Sequence, residues 1–181
     1  MKKLITLGAK DLRTTKGDPR IIKKLNKNPI YIILDNVLDT YNIGAIFRLA
    51  DAVSAKKVII CGESEIPPHT RIKKASINTT EWVSWKYEES AMKAINRLRK
   101  EILDIQVVSI ELDKKSILYN NADYRFPIAL VVGHESDGVS KEVLNASDLI
   151  VELPMFGVNK SLNVMVSLGI VLYKVIEKSL Y

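Results

Sequence analysis

The chain has 181 residues, of which 47% are hydrophobic, and its formal net charge at pH 7 is +6. This length suits one main domain built around a single hydrophobic core. The chain has no uncharged apolar run long enough to span a bilayer and no apolar signal-peptide core at its N-terminus, so the sequence predicts a cytoplasmic protein without a membrane span.

Positive charge is concentrated at the N-terminus. Residues 1–28 contain nine Lys or Arg against two Asp, and the rest of the chain is close to neutral. Such an arm can bind nucleic-acid phosphates, because their neutralisation releases counterions. Charge alone equally allows a solvated tail that aids solubility. The candidate nucleic-acid contacts in the arm are Lys10, Arg13, Arg20, Lys23, Lys24 and Lys27.

The arm also contains a helix signal. Asp18 is a candidate N-cap, and Pro19 follows at the first helical position. Apolar residues then recur at Ile21, Ile22 and Leu25. These features predict a short basic amphipathic helix.

From residue 29 onward, strand and helix patterns alternate. Five short apolar, β-branched runs are typical of parallel strands buried on both faces, at 30–37, 57–61, 105–110, 128–133 and 149–153. Helical patterns occupy 42–53, 88–102, 140–147 and 161–180. The alternation predicts a doubly wound α/β fold. No linker or repeat divides it, so we expect an N-terminal arm over 1–28 and one domain over 29–181.

The sequence lacks the patterns of three other kinds of site. The segment before Lys160 has no glycine at the spacing of a P-loop, and no G-x-G-x-x-G follows a predicted strand, which argues against a dinucleotide-binding oxidoreductase. Cys61 is the single cysteine, ends an apolar run and has no partner at metal-ligand spacing. It is predicted to be buried in a strand, and no metal site is predicted.

Three loops after predicted strands stand out by their residues. NIGAIFR (42–48) follows the first strand, VVGHESDGV (131–139) contains the end of the fourth, and LPMFGVNKSLNV (153–164) follows the fifth. In open α/β sheets, ligands bind at the carboxyl ends of strands, where such loops meet. Together the three loops therefore predict a shared site.

Each residue in these loops also has a structural explanation when taken alone. Asn42 can be an N-cap and Arg48 a surface ion-pair residue. Gly133 and Gly138 can be turn glycines, and Ser161 can cap the last helix. Their combination at the ends of buried strands is what favours a functional interpretation.

The three segments resemble the motifs of the SpoU (TrmH-type) branch of the SPOUT RNA methyltransferases, and the similarity covers residues 30–178. The resemblance implies an α/β SPOUT fold with a mostly parallel sheet and a C-terminal deep trefoil knot, an exception to the rule against threaded chains. It implies S-adenosyl-L-methionine as methyl donor, an RNA ribose 2′-OH as acceptor, and a homodimer with active sites near the interface. A knotted RNA-binding module without catalysis is the alternative from another class.

The resemblance also implies residue roles. The catalytic candidates are Asn42, Arg48, Glu135, Ser161 and Asn163. The cofactor contacts, largely through the backbone, are Ser109, Ile110, Gly133, Glu135, Gly138, Leu153, Met155, Ser161 and Leu162. A free guanidinium is a poor base, so we expect Arg48 to stabilise the developing alkoxide and to position RNA phosphate. We interpret His134 as a structural hydrogen-bonding residue rather than a general base.

Assembly and substrate have weaker signals. Apolar residues lie almost all round the helix over 162–173, which predicts one face on the sheet and another on a partner subunit, with a wholly buried helix of a monomer as the alternative. The stretch SINTTEWVSW (76–85), with Trp82, resembles tRNA D-loop guanosine 2′-O-methyltransferases. We therefore expect a tRNA substrate, with rRNA as the alternative.

Overall fold

The computed structural model describes the backbone of residues 5–180 and the side chains of residues 5–177. Residues 1–4 of the predicted arm and Tyr181 lie outside the described residues. Within the described range, no helix combines the length and apolar character needed to cross a membrane.

Seven strands of the described chain form one parallel sheet. They are β1 (Asn28–Asp35), β2 (Ala55–Cys61), β3 (Trp85–Glu88), β4 (Gln106–Ile110), β5 (Ile117–Leu118), β6 (Ile128–Gly133) and β7 (Leu149–Glu152). Their order is β3-β2-β1-β6-β4-β7-β5, and every neighbouring pair is parallel. All five predicted strands are present, whereas β3 and β5 were not predicted because they are too short for a clear period.

Helices cover both faces of the sheet. They are α1 (Ala9–Thr14), α2 (Pro19–Lys24), α3 (Thr40–Ala52), α4 (Thr70–Ser76), α5 (Ala91–Glu101), α6 (Lys141–Ala146) and α7 (Val164–Leu180). Buried side chains of α3, α4 and α7 share one core with the sheet, and those of α5 and α6 share a second core on the opposite face. The predicted α/β class is therefore confirmed, with a parallel sheet between two helical layers.

Two predicted helix caps are wrong. α3 begins after Asp39, whose carboxylate accepts a hydrogen bond from the Tyr41 N–H at 2.8 Å, so Asn42 lies inside the first turn instead of capping it. At α7, the side chain of Asn163 accepts from the Met165 N–H at 3.0 Å. Ser161 lies upstream in the preceding loop. In both cases the residue directly before the first helical turn takes the cap, since only it can reach the free N–H groups.

The helix pattern predicted over 88–102 also begins too early. Residues 88–90, predicted as helical, contain the end of β3 and the N-cap Ser90 of α5. The helix predicted within the arm is confirmed as α2, where Asp18 accepts from the Arg20 N–H at 2.8 Å. The helices α1 and α4 were not predicted, because each spans fewer than two full turns.

The last helix is not wholly buried. One face contributes Leu168, Val171 and Leu172 to the core. Another face leaves Ile170 and Tyr173 exposed. The alternative of a fully buried helix is therefore wrong, and the exposed apolar face is free to pack on another molecule.

Cys61 is fully buried at the end of β2, as predicted. Burial, with smaller contributions from the nearby carboxylates of Asp35 and Glu88, raises the pKa of its thiol to about 12. The thiolate is the reactive form of cysteine, so this residue is chemically inert at neutral pH.

Candidate active site

The three loops meet through the side chain of Asn42. Its Nδ2 donates a hydrogen bond to Oε1 of Glu135 at 2.9 Å. Its Oδ1 accepts from Nδ2 of Asn163 at 3.0 Å. One amide therefore joins α3 to the loop after β6 and to the start of α7, which brings Asn42, Glu135 and Asn163 together.

Glu135 is held as an ionised acceptor. Its two carboxylate oxygens also accept from the backbone N–H groups of Leu38 at 3.1 Å and Asp39 at 3.0 Å. Partial burial would raise the pKa of Glu135, but the hydrogen bonds from Asn42 and the two backbone N–H groups outweigh it and lower the pKa. The carboxylate therefore acts as a fixed clamp between the loops after β1 and β6.

The turn after β6 is closed on itself. The backbone groups of His134 and Gly138 bond reciprocally at 3.0 and 2.9 Å. The Nδ1 atom of His134 accepts from the N–H groups of Ser136 at 3.0 Å and Asp137 at 3.2 Å. The His134 lone pair at Nδ1 is thus committed to the backbone, which agrees with the structural interpretation of this residue.

Glycine is required on both sides of that turn. A Cβ on Gly133 would lie 2.2 Å from both the carbonyl carbon and the carbonyl oxygen of Gly138. Gly138 has a φ of +70°, a backbone conformation that favours glycine. The Gly-x-x-x-x-Gly spacing of this loop therefore follows from its tight closure.

Two carboxylates that support the same turn were missed. Oε2 of Glu111, just after β4, accepts from the Val139 N–H at 2.9 Å. Oδ2 of Asp35, at the end of β1, accepts from the Ser140 N–H at 2.9 Å. Each is an acidic residue at the carboxyl end of a buried strand, and this signal could have identified them.

The loop over residues 153–162 has an open backbone. None of its N–H or carbonyl groups has a hydrogen-bond partner among residues 5–180. Phe156 is 95% exposed, and nothing lies within 4 Å of the position that a Cβ would take on Gly157. Unpaired backbone groups next to exposed apolar side chains can hold a ligand that has both polar edges and apolar surface.

The remaining cofactor candidates surround this loop in different ways. Leu153 and Met155 are half-buried, whereas Ser161 and Leu162 are exposed. Ser161 makes no hydrogen bond within the described part of the chain, so its hydroxyl is outside the Asn42 network. Ser109 is fully buried, and its Oγ lies 2.7 Å from the Ser147 Oγ. Its side chain is therefore occupied, and the part of this segment that can face a ligand is the end of β4. Ile110 is 8% exposed at that strand end.

Arg48 lies apart from the hydrogen-bond network. It is exposed on α3, and its guanidinium has no ion pair or hydrogen bond with any other described residue. A guanidinium without a protein partner keeps all five N–H donors available to an anion. Arg48 therefore suits contact with a substrate rather than support of the fold.

The candidate cations of the arm differ from one another. Arg20 pairs with Asp18 at 3.3 Å, and Lys27 is half-buried, so that burial lowers its pKa despite the nearby charge of Asp51. The others are exposed, namely Lys10, Arg13, Lys23 and Lys24.

The chain is similar to one protein family and to several individual proteins. The SpoU rRNA Methylase family profile matches residues 29–173. The tRNA (guanosine(18)-2′-O)-methyltransferase of Aquifex aeolicus is 34% identical over 158 residues, which cover 85% of this chain and 71% of that protein. A putative TrmH family tRNA/rRNA methyltransferase of Bacillus subtilis is 31% identical over 153 residues, which cover 84% of this chain. The chain spans 60% of the length of the latter.

Solved structures share the fold. The A. aeolicus TrmH/SpoU tRNA modifying enzyme superposes with a TM-score of 0.75 at 26% identity, covering 94% of this chain and 83% of that one. An AdoMet-bound rRNA methyltransferase from Sinorhizobium meliloti gives a TM-score of 0.76 at 26% identity, covering 92% and 60% of the two chains.

Proposed function

This chain belongs to the SpoU methylase family, and on that premise we propose that it transfers a methyl group from S-adenosylmethionine to a ribose 2′-OH of RNA. The observation that supports the proposal most strongly is the Asn42 amide, which joins Glu135 and Asn163 across the three loops. Such a constellation is pre-organised before any ligand arrives.

The open loop over 153–162 and the ends of β4 and β6 are the proposed cofactor site. Their donors and acceptors are backbone groups, which suit an adenine edge and an amino-acid group. When bound, S-adenosylmethionine supplies an electrophilic methyl group. The proposed contacts are Ser109, Ile110, Gly133, Glu135, Gly138, Leu153, Met155, Ser161 and Leu162.

Arg48 is the proposed catalytic residue for the acceptor. A ribose 2′-OH is a weak nucleophile, and positive charge beside it stabilises the alkoxide that develops as its proton leaves. The guanidinium of Arg48 remains protonated and therefore stabilises charge rather than removing the proton. We propose that an RNA phosphate oxygen, positioned by the same guanidinium, accepts that proton.

Asn42, Glu135 and Asn163 are proposed to act by holding the loops in place. The Glu135 carboxylate is already committed to three N–H groups, which makes it an unsuitable general base. Ser161, whose hydroxyl has no partner within residues 5–177, is the member of the predicted catalytic set that, besides Arg48, can contact a ligand directly.

tRNA is the proposed substrate, with a D-loop guanosine as the methylated nucleotide and the cytoplasm as the site of action. In support, two tRNA (guanosine(18)-2′-O)-methyltransferases match over 71% and 75% of their own lengths. The second candidate is ribosomal RNA. It is favoured by two 23S rRNA (guanosine-2′-O-)-methyltransferases, which are 30% and 28% identical to this chain. The chain spans 59% and 60% of their lengths.

The test is transfer of labelled methyl from S-adenosylmethionine to total tRNA and, separately, to ribosomal RNA. Products are mapped by the alkali-resistant linkages that a 2′-O-methyl ribose leaves. We expect tRNA labelling by the wild type and its loss in Arg48→Ala. Labelling of rRNA alone would mean that ribosomal RNA, not tRNA, is the substrate. Cofactor binding without labelling of either RNA would favour the binding module.

A homodimer and a C-terminal trefoil knot are further parts of the proposal. The exposed apolar side chains Phe156, Val158, Ile170 and Tyr173 support the dimer, because a monomer would leave them in water. Sedimentation or light scattering of Tyr173→Glu tests it, and an unchanged mass would argue against this interface. The position of β4 between β6 and β7 is compatible with the knot.

A further inference from the structure

A basic groove lies between the N-terminal arm and α4. It encloses about 420 Å³ and is lined by Arg13, Lys73, Lys74 and Asn78. The side chains of its three cations are exposed, and within the described part of the chain no carboxylate lies within 4.0 Å of their nitrogens. Unpaired like charges repel one another, and an anion in the groove would relieve that repulsion.

The arm is fixed against the domain, so the groove is pre-formed. Nδ2 of Asn78, a residue only 5% exposed, donates to the carbonyl oxygens of Leu12 at 3.1 Å and Thr15 at 3.0 Å. At Gly17, a Cβ would lie 2.0 Å from the carbonyl oxygen of Glu81. These contacts hold the helix of Arg13 at a set distance from α4.

The groove adjoins the helix that bears Arg48. A Cβ on Gly44 of α3 would lie 2.5 Å from the Ala75 Cβ and 2.8 Å from the Ile72 carbonyl oxygen, so α3 and α4 pack backbone to backbone. Lys73 and Lys74 lie on the exposed side of α4. The groove therefore lies beside α4, which packs directly on the helix that bears Arg48.

We propose that this groove binds the phosphodiester backbone of the RNA substrate. Arg13, Lys73 and Lys74 bind phosphate, and Asn78 is a positioning residue that sets the groove by holding the arm. The site rests on the proposed RNA substrate and adds to it a docking surface on the domain itself, next to the helix of Arg48. Contacts of this kind position RNA without reading its sequence.

The first test measures RNA affinity across a series of salt concentrations with total tRNA and with fragmented ribosomal RNA as probes. Each lost phosphate contact reduces the salt slope by about 0.7 to 0.9. We expect Lys73→Gln/Lys74→Gln to reduce the slope by about 1.4 to 1.8 and to weaken binding at least ~5-fold near 0.1 M salt. Its binding of S-adenosylhomocysteine should equal that of the wild type.

The matched control is Lys93→Gln/Lys100→Gln. It removes the same charge from exposed positions of α5, on the opposite face of the sheet. We expect a wild-type salt slope from this control. An equal loss of salt slope and RNA affinity in both double variants would mean a general charge effect. It would overturn the proposal that this groove binds RNA.

The second test separates position from charge. Asn78 has a φ of 67°, where glycine is relaxed, so Asn78→Gly removes the side-chain contacts without straining the backbone. We expect Asn78→Gly to reduce the salt slope of RNA binding by as much as Arg13→Gln does. The double variant Asn78→Gly/Arg13→Gln should reduce it no further than either single variant. Additive losses would overturn the positioning role of Asn78.

The outcomes distinguish this site from the proposed function. The Lys73→Gln/Lys74→Gln variant could transfer methyl groups to RNA and bind RNA as tightly as the wild type. That result would overturn the RNA-binding role of the groove but not the proposed function. It is the result expected if the groove binds an acidic protein instead of RNA. Failure of the wild type to bind either RNA would overturn both.

Discussion

Asn42 and Glu135, separated by 93 positions in the chain, are joined by a 2.9 Å hydrogen bond from the amide Nδ2 to the carboxylate Oε1. Because the carboxylate also accepts two backbone N–H groups, it is the point where the loops after β1 and β6 are held together. The consequences of changing it follow from the donors it would leave unpaired.

Glu135→Gln keeps the shape of the side chain but turns one acceptor oxygen into a donor. One of the three N–H donors then faces another donor, at a cost of about 1–3 kcal/mol in the free energy of unfolding. We expect methyl transfer to fall about 100-fold because the loops lose their alignment. Chemical denaturation and initial rates check this. Glu142→Gln, at an exposed position of α6, should change neither.

The clamp should also be sensitive to acid. The pKa of Glu135 is lowered in the folded state, so its stabilising contribution is present above the unfolded pKa and is lost as pH falls through the folded pKa. We expect the difference in unfolding free energy between wild type and Glu135→Gln to shrink progressively below about pH 4.3, the ordinary pKa of a glutamate. A difference that stays constant from pH 7 to pH 3 would contradict this.

Arg48→Ala should remove activity without weakening the fold, because the guanidinium has no partner among the described residues. We expect a fall of at least ~100-fold in kcat, as for loss of a group that stabilises transition-state charge. Binding of S-adenosylhomocysteine and thermal stability should remain unchanged. Arg125→Ala is the control, since Arg125 is exposed just before β6, at the amino end of the sheet.

His134 should tolerate an amide but not an apolar side chain. Its Nδ1 accepts two backbone N–H groups, and the Oδ1 of asparagine can accept in the same kind of turn. We expect His134→Asn to keep kcat within ~3-fold and His134→Ala to lose about 1 kcal/mol of stability. Neither variant should remove an inflection near pH 7 from the pH–rate profile. If both do, His134 is the general base and Arg48 has been given the wrong role.

Two glycine substitutions should act in opposite directions. Gly133→Ala places a Cβ 2.2 Å from the Gly138 backbone, so the turn must open, and we expect a loss of more than ~2 kcal/mol together with weaker cofactor binding. Gly169→Ala, inside α7, meets only Leu49 side-chain atoms at 3.5 and 3.6 Å, and should stabilise the fold by about 0.5–1 kcal/mol. Denaturant unfolding of both variants measures the contrast.

Local patterns in the sequence were sufficient for much of the fold. Apolar β-branched runs identified five strands, a Pro after Asp18 identified α2, and an apolar run ending at Cys61 indicated its burial. The three motif segments identified the family. These signals succeed because side-chain periodicity and capping depend on residues a few positions apart.

Only the tertiary structure decided what the polar side chains bind. Asn42 has the sequence features of a cap, yet Asp39 caps the helix, because the Asn42 amide is committed to Glu135 and Asn163. The support of Val139 by Glu111 depends on β4 lying beside β6, an adjacency that no local pattern contains. Hydrogen bonds between such distant residues form only after the order of the strands brings their ends to one edge, so the sequence could predict the members of the site but not its connections.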